Sequence, residues 1–127
     1  MPLMGPVLAQ VLQACALGCL DLAPDLSVAG TCSACVVAAA DGYPEAPRKG
    51  DLIQLQPDPD QQRQLFHAGT HRQDDGQEMT AGGRVLTQVA QAADFDQAFA
   101  SAYAGLELAR FNGMQFRRDI GHQVRRS

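Results

Sequence analysis

The chain has 127 residues, of which 46% are hydrophobic and 19% are charged, and this length suits one domain with a single hydrophobic core. Its formal net charge of −4 provides no general attraction to nucleic acids or anionic membranes. The arginines near the C-terminus (Arg117, Arg118, Arg125 and Arg126) have no interleaved aromatic platform, so we expect a solvated tail and no nucleic-acid site.

The first segment predicts a helix, because apolar residues recur at three- and four-residue spacing. The residues on this face are Val7, Leu8, Val11, Leu12, Cys15 and Cys19. Pro6 suits the first helical turn, and Gly18 is a suitable end. We expect a loop over 21–30 and then a buried strand from Thr31 to Ala39.

The middle of the chain predicts loops and antiparallel strands. A turn-rich loop is expected over 41–51, and Asp75-Gly76 predicts a hairpin. The expected strands cover 52–56, 63–70, 77–80 and 84–91. The last of these is preceded by Gly82 and Gly83.

The second helix has the clearest local signals. Asp94 is a suitable N-cap, and Gln97 would complete a capping box. Its apolar stripe would consist of Phe95, Phe99, Tyr103 and Leu106, with Ala98 and Ala102 beside them. Asn112-Gly113 would end the helix, and 114–121 predicts a last strand. The order of elements predicts an α+β domain, in which two main helices pack on a small antiparallel sheet.

Four cysteines are expected to be free thiols, since no export signal or membrane-spanning stretch is found in the sequence. Cys32 and Cys35 have the spacing of half a zinc site. In a strand they would point to opposite faces, which argues against a zinc or thioredoxin-like site. Cys15 and Cys19 are predicted to be small core residues.

The histidines His67, His71 and His122 have no spacing to a cysteine or serine that indicates a triad or a metal cluster. We expect each to be a strand or loop histidine with a hydrogen-bond partner. No catalytic residue or metal ligand is therefore predicted.

Gly82, Gly83 and Arg84 indicate a binding site. Glycines let the backbone approach a ligand and expose N–H groups, and the arginine fork matches a phosphate or carboxylate. These residues predict an anion clamp. The alternative, which the three residues alone favour somewhat, is a glycine turn before a strand with Arg84 at the surface.

Several blocks in fixed order carry a family resemblance. They are SACVVAAADGYPEAPRKGD, FHAGT, DDGQ, TAGGRVL and AYAGLELARFNGMQFRRDIG. Together they resemble the C-terminal part of the phosphoribosylamine–glycine ligase family, also called glycinamide ribonucleotide synthetase, over nearly the whole chain. The resemblance implies an ATP-grasp enzyme of de novo purine synthesis, which joins glycine to phosphoribosylamine with ATP and magnesium.

The resemblance assigns residues 1–22 to a helix leading from the ATP-grasp region and residues 23–127 to the C-terminal domain. It implies that ATP and magnesium are held elsewhere, so the chain holds no cofactor and is expected to be inactive alone. Its expected partners are the ATP-grasp portion and phosphoribosylamine or glycinamide ribonucleotide, in the cytoplasm. A gene fragment, an excised piece and one part of a split enzyme all stay open.

The resemblance also implies that Gly82, Gly83 and Arg84 face the active-site cleft and bind the substrate's phosphate. Arg118 is a weaker candidate for the same face. Because adjacent residues of a strand alternate, at most one of Arg117 and Arg118 should point to the cleft, and Asp119 is expected to hold an arginine in place. The alternative function is a free-standing interaction or binding module, whose exposed cleft face would favour a homodimer.

Overall fold

The computed structural model describes residues 2–26 and 30–125, which leaves Arg126 outside the described part of the chain. In chain order the elements are α1 (Leu8–Leu17), β1 (Cys32–Ala39), β2 (Gln54–Leu55), β3 (Arg63–His67), β4 (Thr70–Arg72), β5 (Glu78–Thr80), β6 (Arg84–Ala92), α2 (Phe95–Leu106) and β7 (Ala109–Arg110). One-turn 3-10 helices occur at Pro2–Met4 and Leu20–Leu22. None of the helices within the described residues is long and apolar enough to cross a membrane.

The central sheet has three antiparallel strands in the order β1-β6-β3. The pairing of β1 with β6 is regular from Cys32 opposite Ala92 onward, until the register shifts between Ala38 and Ala39. After the shift, Ala39 lies opposite Arg84. The first residue of β6 is therefore placed at the end of the sheet, beside the loop that follows β1.

The core lies between one face of this sheet and α2. Alternate residues of β1 and β6 point into it, as the two-residue period of a strand requires. The buried strand residues include Ala34, Val36, Ala38, Leu86 and Ala90, and the buried helix residues include Ala98, Phe99, Ala102 and Leu106. This arrangement confirms the α+β prediction. The facing surfaces of α2 and the sheet both carry alanines, so the side chains are small where the helix crosses the strands.

The start of α2 is as predicted, but its end is not. The Asp94 carboxylate accepts a hydrogen bond from the Gln97 N–H at 2.8 Å. The Gln97 side chain donates to the same carboxylate at 2.9 Å, whereas a capping box would place it on the backbone N–H of Asp94. The helix ends at Leu106 instead of Asn112-Gly113, because the chain turns there and pairs with β2 as β7. Gly113, with φ of 69°, turns the chain after that short strand.

The buried face of α1 differs from the predicted stripe. The helix ends at Gly18 as expected, with φ of 70°, whereas Pro6 precedes the N-cap Val7 and so lies outside the first turn. Ala14 is the buried residue of α1, and Cys15 is exposed. The prediction that Cys15 is a core residue is therefore wrong, because the helix buries the side that carries Ala14.

The strand predicted over 63–70 is divided in two at Ala68-Gly69. The Gly69 N–H donates to the carbonyl oxygen of Arg84 at 2.8 Å. A Cβ atom on Gly69 would lie 2.8 Å from the Cα of Gly82, so the two segments cross backbone against backbone. The predicted hairpin is confirmed: β4 and β5 are joined by residues 73–77, in which Gly76 has φ of 85°. The strand predicted over 52–56 is reduced to β2.

The strand predicted over 114–121 is also wrong. Within the described residues, its pairing is a single bridge between Gln115 and Ala39. The Tyr103 hydroxyl of α2 donates to the carbonyl oxygen of Arg117 at 2.9 Å and accepts from the Ile120 N–H at 3.1 Å. One side chain thus satisfies backbone groups that a strand partner would otherwise pair.

Candidate functional site

The start of β6 borders a groove of about 540 Å³. Tyr43 and Pro47 contribute to its lining from the loop after β1, and Gly69 contributes from the turn after β3. Gly83 and Arg84 line the same groove. Two of the three predicted clamp residues, Gly83 and Arg84, therefore lie at this groove, and the Arg84 side chain is exposed. Gly82 is half-buried and does not line the groove.

Close packing explains why positions 82 and 83 are glycines. A Cβ atom on Gly83 would overlap the ring of Tyr43, with the ring's Cε2 at 2.9 Å. Gly82 faces the backbone of Gly69, whose Cα would lie 3.3 Å from an added Cβ. Neither glycine is among those with positive φ. A side chain at either position would thus require a neighbour to move, the Tyr43 ring at Gly83 and the Gly69 backbone by a few tenths of an ångström at Gly82, and no left-handed turn is involved.

Some backbone groups of the segment 82–84 form hydrogen bonds with the rest of the domain, and others do not. The carbonyl oxygen of Gly83 accepts from the Ala40 N–H at 2.8 Å. Within residues 2–26 and 30–125, the N–H groups of Gly82 and Gly83 donate to no other group, and the Arg84 guanidinium has no carboxylate partner. Five other arginines do pair with carboxylates, namely Arg48, Arg63, Arg72, Arg117 and Arg125. A free guanidinium beside free backbone donors is an arrangement that can hold an anion.

Arg84 also borders a second groove of about 630 Å³, which shares Val37 and Tyr43 with the first. This groove lies on the face of the sheet opposite α2, because Cys35, Val37 and Ala39 alternate with the buried residues of β1. The C-terminal segment provides Gln115, Phe116, Arg117 and Ile120 to its lining. The two grooves share Arg84, and we refer to them together as the elongated groove.

Arg117 is held at this second groove by Asp119. Its Nε donates to Oδ1 at 2.9 Å and its Nη2 donates to Oδ2 at 2.5 Å. The hydrogen bond from Arg117 lowers the pKa of Asp119, and the same bond raises the pKa of Arg117. The expectation that Asp119 holds an arginine is therefore confirmed.

The structure does not bring Arg118 to the groove that Arg84 lines. The Arg118 guanidinium lies over the Phe116 ring, 4.9 Å from its centroid, and it lines a different groove with Leu106 and Glu107. The sequence named Arg118 as the weaker candidate and expected at most one of Arg117 and Arg118 at the cleft, whereas Arg117 is the one that lines a groove with Arg84. The signal that could have identified Arg117 is the acidic residue two positions later.

The cysteines and histidines are spread over the described part of the chain. All four cysteines are free. Cys32 packs against the core and Cys35 is exposed, which confirms that they point to opposite faces. The described residues contain no group of three or more His, Cys, Asp or Glu side chains that could hold a metal ion. The Nδ1 of His122 lies 3.0 Å from the carbonyl oxygen of Asp119, whereas His67 and His71 are exposed.

Comparison with known proteins identifies the family. Residues 33–123 match the family described as "Phosphoribosylglycinamide synthetase, C domain". The chain is 43% identical over 125 residues to "Phosphoribosylamine--glycine ligase" of Synechocystis sp., covering 98% of the chain and 30% of that protein. It is 38% identical to "Bifunctional purine biosynthetic protein ADE1" of Schizosaccharomyces pombe, covering 98% of the chain and 16% of that protein.

A solved structure shows the same fold. The crystal structure of phosphoribosylamine–glycine ligase from Thermotoga maritima matches with a TM-score of 0.78 and 30% identity, over 93% of this chain and 28% of that one. The chain thus spans about a third or less of the length of these relatives. The match over residues 33–123 shows that the chain belongs to the phosphoribosylglycinamide synthetase C domain family.

Proposed function

We propose that this chain serves as the C domain of a phosphoribosylamine–glycine ligase of de novo purine synthesis. Gly82, Gly83 and Arg84 hold the phosphate of phosphoribosylamine or of the product glycinamide ribonucleotide. One observation carries this proposal: the exposed guanidinium of Arg84, unpaired within the described residues, lines a groove together with Gly83, whose backbone N–H is free within the described residues, and the free N–H of Gly82 precedes them in the chain. The names of the relatives support the reaction.

The chemistry of the segment suits a phosphate. A phosphate group presents several acceptor oxygens, which match a planar guanidinium fork and backbone donors at once. Arg84 has no carboxylate partner within the described residues, so no ion pair has to break when the ligand binds. Loss of one charge-assisted hydrogen bond of this kind costs about 1.5–3 kcal/mol.

The proposed contribution of the chain is positioning. ATP and magnesium are assigned to the ATP-grasp portion of the ligase; the described residues contain no group of three or more His, Cys, Asp or Glu side chains that could hold a metal ion. A sugar phosphate that is held in a fixed orientation loses its rotational freedom before the reaction, which lowers the entropic part of the barrier. On this proposal the chain alone has no ligase activity.

An exposed apolar segment supports contact with the ATP-grasp portion. Five leucines between residues 12 and 26 are 38–78% exposed; they are Leu12, Leu17, Leu20, Leu22 and Leu26. Contiguous exposed apolar surface marks interaction sites. We assign this segment, which overlaps the proposed linking region 1–22, to the contact with that portion. The same leucines favour the second candidate function, a free-standing interaction module that self-associates.

The test is a chimeric ligase, in which this chain replaces the matching 125-residue segment of the Synechocystis enzyme. We expect the chimera to be active. Arg84→Ala should raise the KM for phosphoribosylamine by about 10- to 150-fold and leave the KM for ATP unchanged. Arg110→Ala is the matched control, because Arg110 is also exposed and unpaired within the described residues but lines another groove.

Three results would count against these assignments. An inactive chimera contradicts the ligase role. An unchanged KM for phosphoribosylamine in Arg84→Ala removes Arg84 from the site. For the second candidate, light scattering that shows a monomer at high concentration contradicts self-association through the leucines.

A further inference from the structure

We infer that Arg117, positioned by Asp119, is the second ligand-contacting arginine of the elongated groove, so that the groove selects a sugar phosphate over a bare phosphate. Arg84 binds the phosphate, and Arg117 binds hydroxyl groups of the pentose together with the amide oxygen of Gln115, whose Nε2 donates to the Asp41 carboxylate at 3.2 Å. This inference rests on the proposed function, since it needs the phosphate to lie at Arg84.

The lining of the second groove suits a sugar ring. Val37, Ala39, Phe116 and Ile120 contribute apolar surface to the groove that the polar residues Arg84, Gln115 and Arg117 also line. The carbon–hydrogen face of a pentose can pack on such side chains, while its hydroxyls reach the polar groups. A volume of about 630 Å³ exceeds the needs of a phosphate ion and lies within the range of small-molecule sites.

The ion pair with Asp119 leaves part of the Arg117 guanidinium available. Its bonds to Asp119 use Nε and Nη2, and a guanidinium has five N–H donors, so the Nη1 donors stay free of this pair. The carboxylate also balances most of the charge of the guanidinium. Arg117 is therefore suited to neutral hydroxyls, whereas the unpaired Arg84 is suited to the phosphate.

The backbone that carries Arg117 is also held from the core side, while the Arg117 side chain itself is exposed. The Tyr103 hydroxyl is bonded to the backbone on both sides of Asp119, at Arg117 and at Ile120. Tyr103 lies on α2, which packs against the central sheet. Asp119 and Tyr103 are thus positioning residues, which act on the ligand through Arg117.

The test compares two probes, inorganic phosphate and ribose 5-phosphate, by titration of the full chain. We expect the wild type to bind ribose 5-phosphate more tightly. Arg117→Ala should lower this preference by about tenfold or more, and Tyr103→Phe and Asp119→Asn should lower it by smaller factors. None of the three substitutions should change the affinity for inorganic phosphate. A substitution that acted only by disturbing the structure would change this affinity as well. Arg110→Ala is the matched control and should change neither affinity.

The outcomes separate this inference from the proposed function. The preference is the ratio of the affinity for ribose 5-phosphate to the affinity for inorganic phosphate. A ratio near one in the wild type, or the same ratio in Arg117→Ala as in the wild type, overturns the inference. An equal loss for both probes in Arg117→Ala also overturns it, because it indicates a general electrostatic effect. In contrast, Arg84→Ala should weaken both probes, and an unchanged phosphate affinity in that variant contradicts the proposed phosphate site itself.

Discussion

The ring of Tyr43 lies against Gly83, so close that a Cβ atom at position 83 would be 2.9 Å from its Cε2 and nearer still to its Cδ2. Tyr43 borders both grooves that meet at Arg84. The glycine at the start of β6 therefore allows an aromatic ring from the preceding loop to shape the ligand surface.

Gly83→Ala should reshape this surface without unfolding the domain. The Tyr43 side chain is exposed, so its ring can move outward to make room for the methyl group. We expect weaker binding of ribose 5-phosphate by several-fold, with little change in the free energy of unfolding. Gly30→Ala is the matched control, because an added Cβ there meets no atom within 4 Å and Gly30 does not have positive φ. Equal affinities in the two variants would contradict this role of Tyr43.

Gly69→Ala should instead destabilise the fold. Its added Cβ would lie 2.7 Å from the carbonyl oxygen of Arg84 and 2.8 Å from the Cα of Gly82. Both neighbours are backbone and cannot rotate away. Overpacking of this kind costs about 1–3 kcal/mol, which urea denaturation would measure. If the urea midpoint of Gly69→Ala equalled that of Gly30→Ala, the backbone segments around Gly69 and Gly82 would separate more easily than their packing indicates.

Asp94→Ala should destabilise α2 at its first turn. The variant loses the bond from the Gln97 N–H to the Asp94 carboxylate, and loss of an N-cap costs about 0.5–2 kcal/mol. Urea denaturation is again the measurement. Asp74→Ala in the β4–β5 hairpin is the control for loss of an exposed carboxylate. Equal unfolding free energies for the two variants would contradict the capping role.

The Arg117–Asp119 pair predicts a pH dependence. The pKa of Asp119 is lowered mainly by the hydrogen bond from Arg117, and the nearby His122 acts in the same direction. Because the folded-state pKa is below the unfolded value, the pair contributes fully above the ordinary carboxyl pKa and its contribution is lost as the pH falls through the lowered value. Carboxyl carbon shifts should therefore titrate at lower pH for Asp119 in the wild type than in Arg117→Ala. The same midpoint in both proteins would show that the pair does not persist in solution.

Local signals in the sequence account for the parts of the fold that were predicted. Asp94 and Gln97 are three positions apart, so the start of α2 could be predicted from a short segment. Gly76 marks the β4–β5 hairpin for the same reason. The end of α2 could not be predicted, because pairing of β7 with β2 depends on residues that lie more than fifty positions apart.

The candidate site shows the same division between local and distant causes. The residue types at Gly82, Gly83 and Arg84 predicted an anion clamp, yet the neighbours that require glycine there are Tyr43 and Gly69, which are distant in sequence. The rule that at most one of Arg117 and Arg118 faces the cleft depended on a strand that the Tyr103 hydroxyl bonds replace. A side chain on α2 decides this point, and the local signal within 114–121 is Asp119, which pairs with Arg117.

The central claim is that the Gly82–Arg84 segment binds the phosphate of a sugar phosphate. The most direct measurement is a nitrogen-15 NMR titration of the full chain with ribose 5-phosphate. We predict the largest shifts for the amides of Gly82 and Gly83 and for the Arg84 Nε–H, and we predict that the amide shifts disappear in Arg84→Ala. Unchanged resonances of these three groups, at ligand concentrations that shift other residues, would contradict the account.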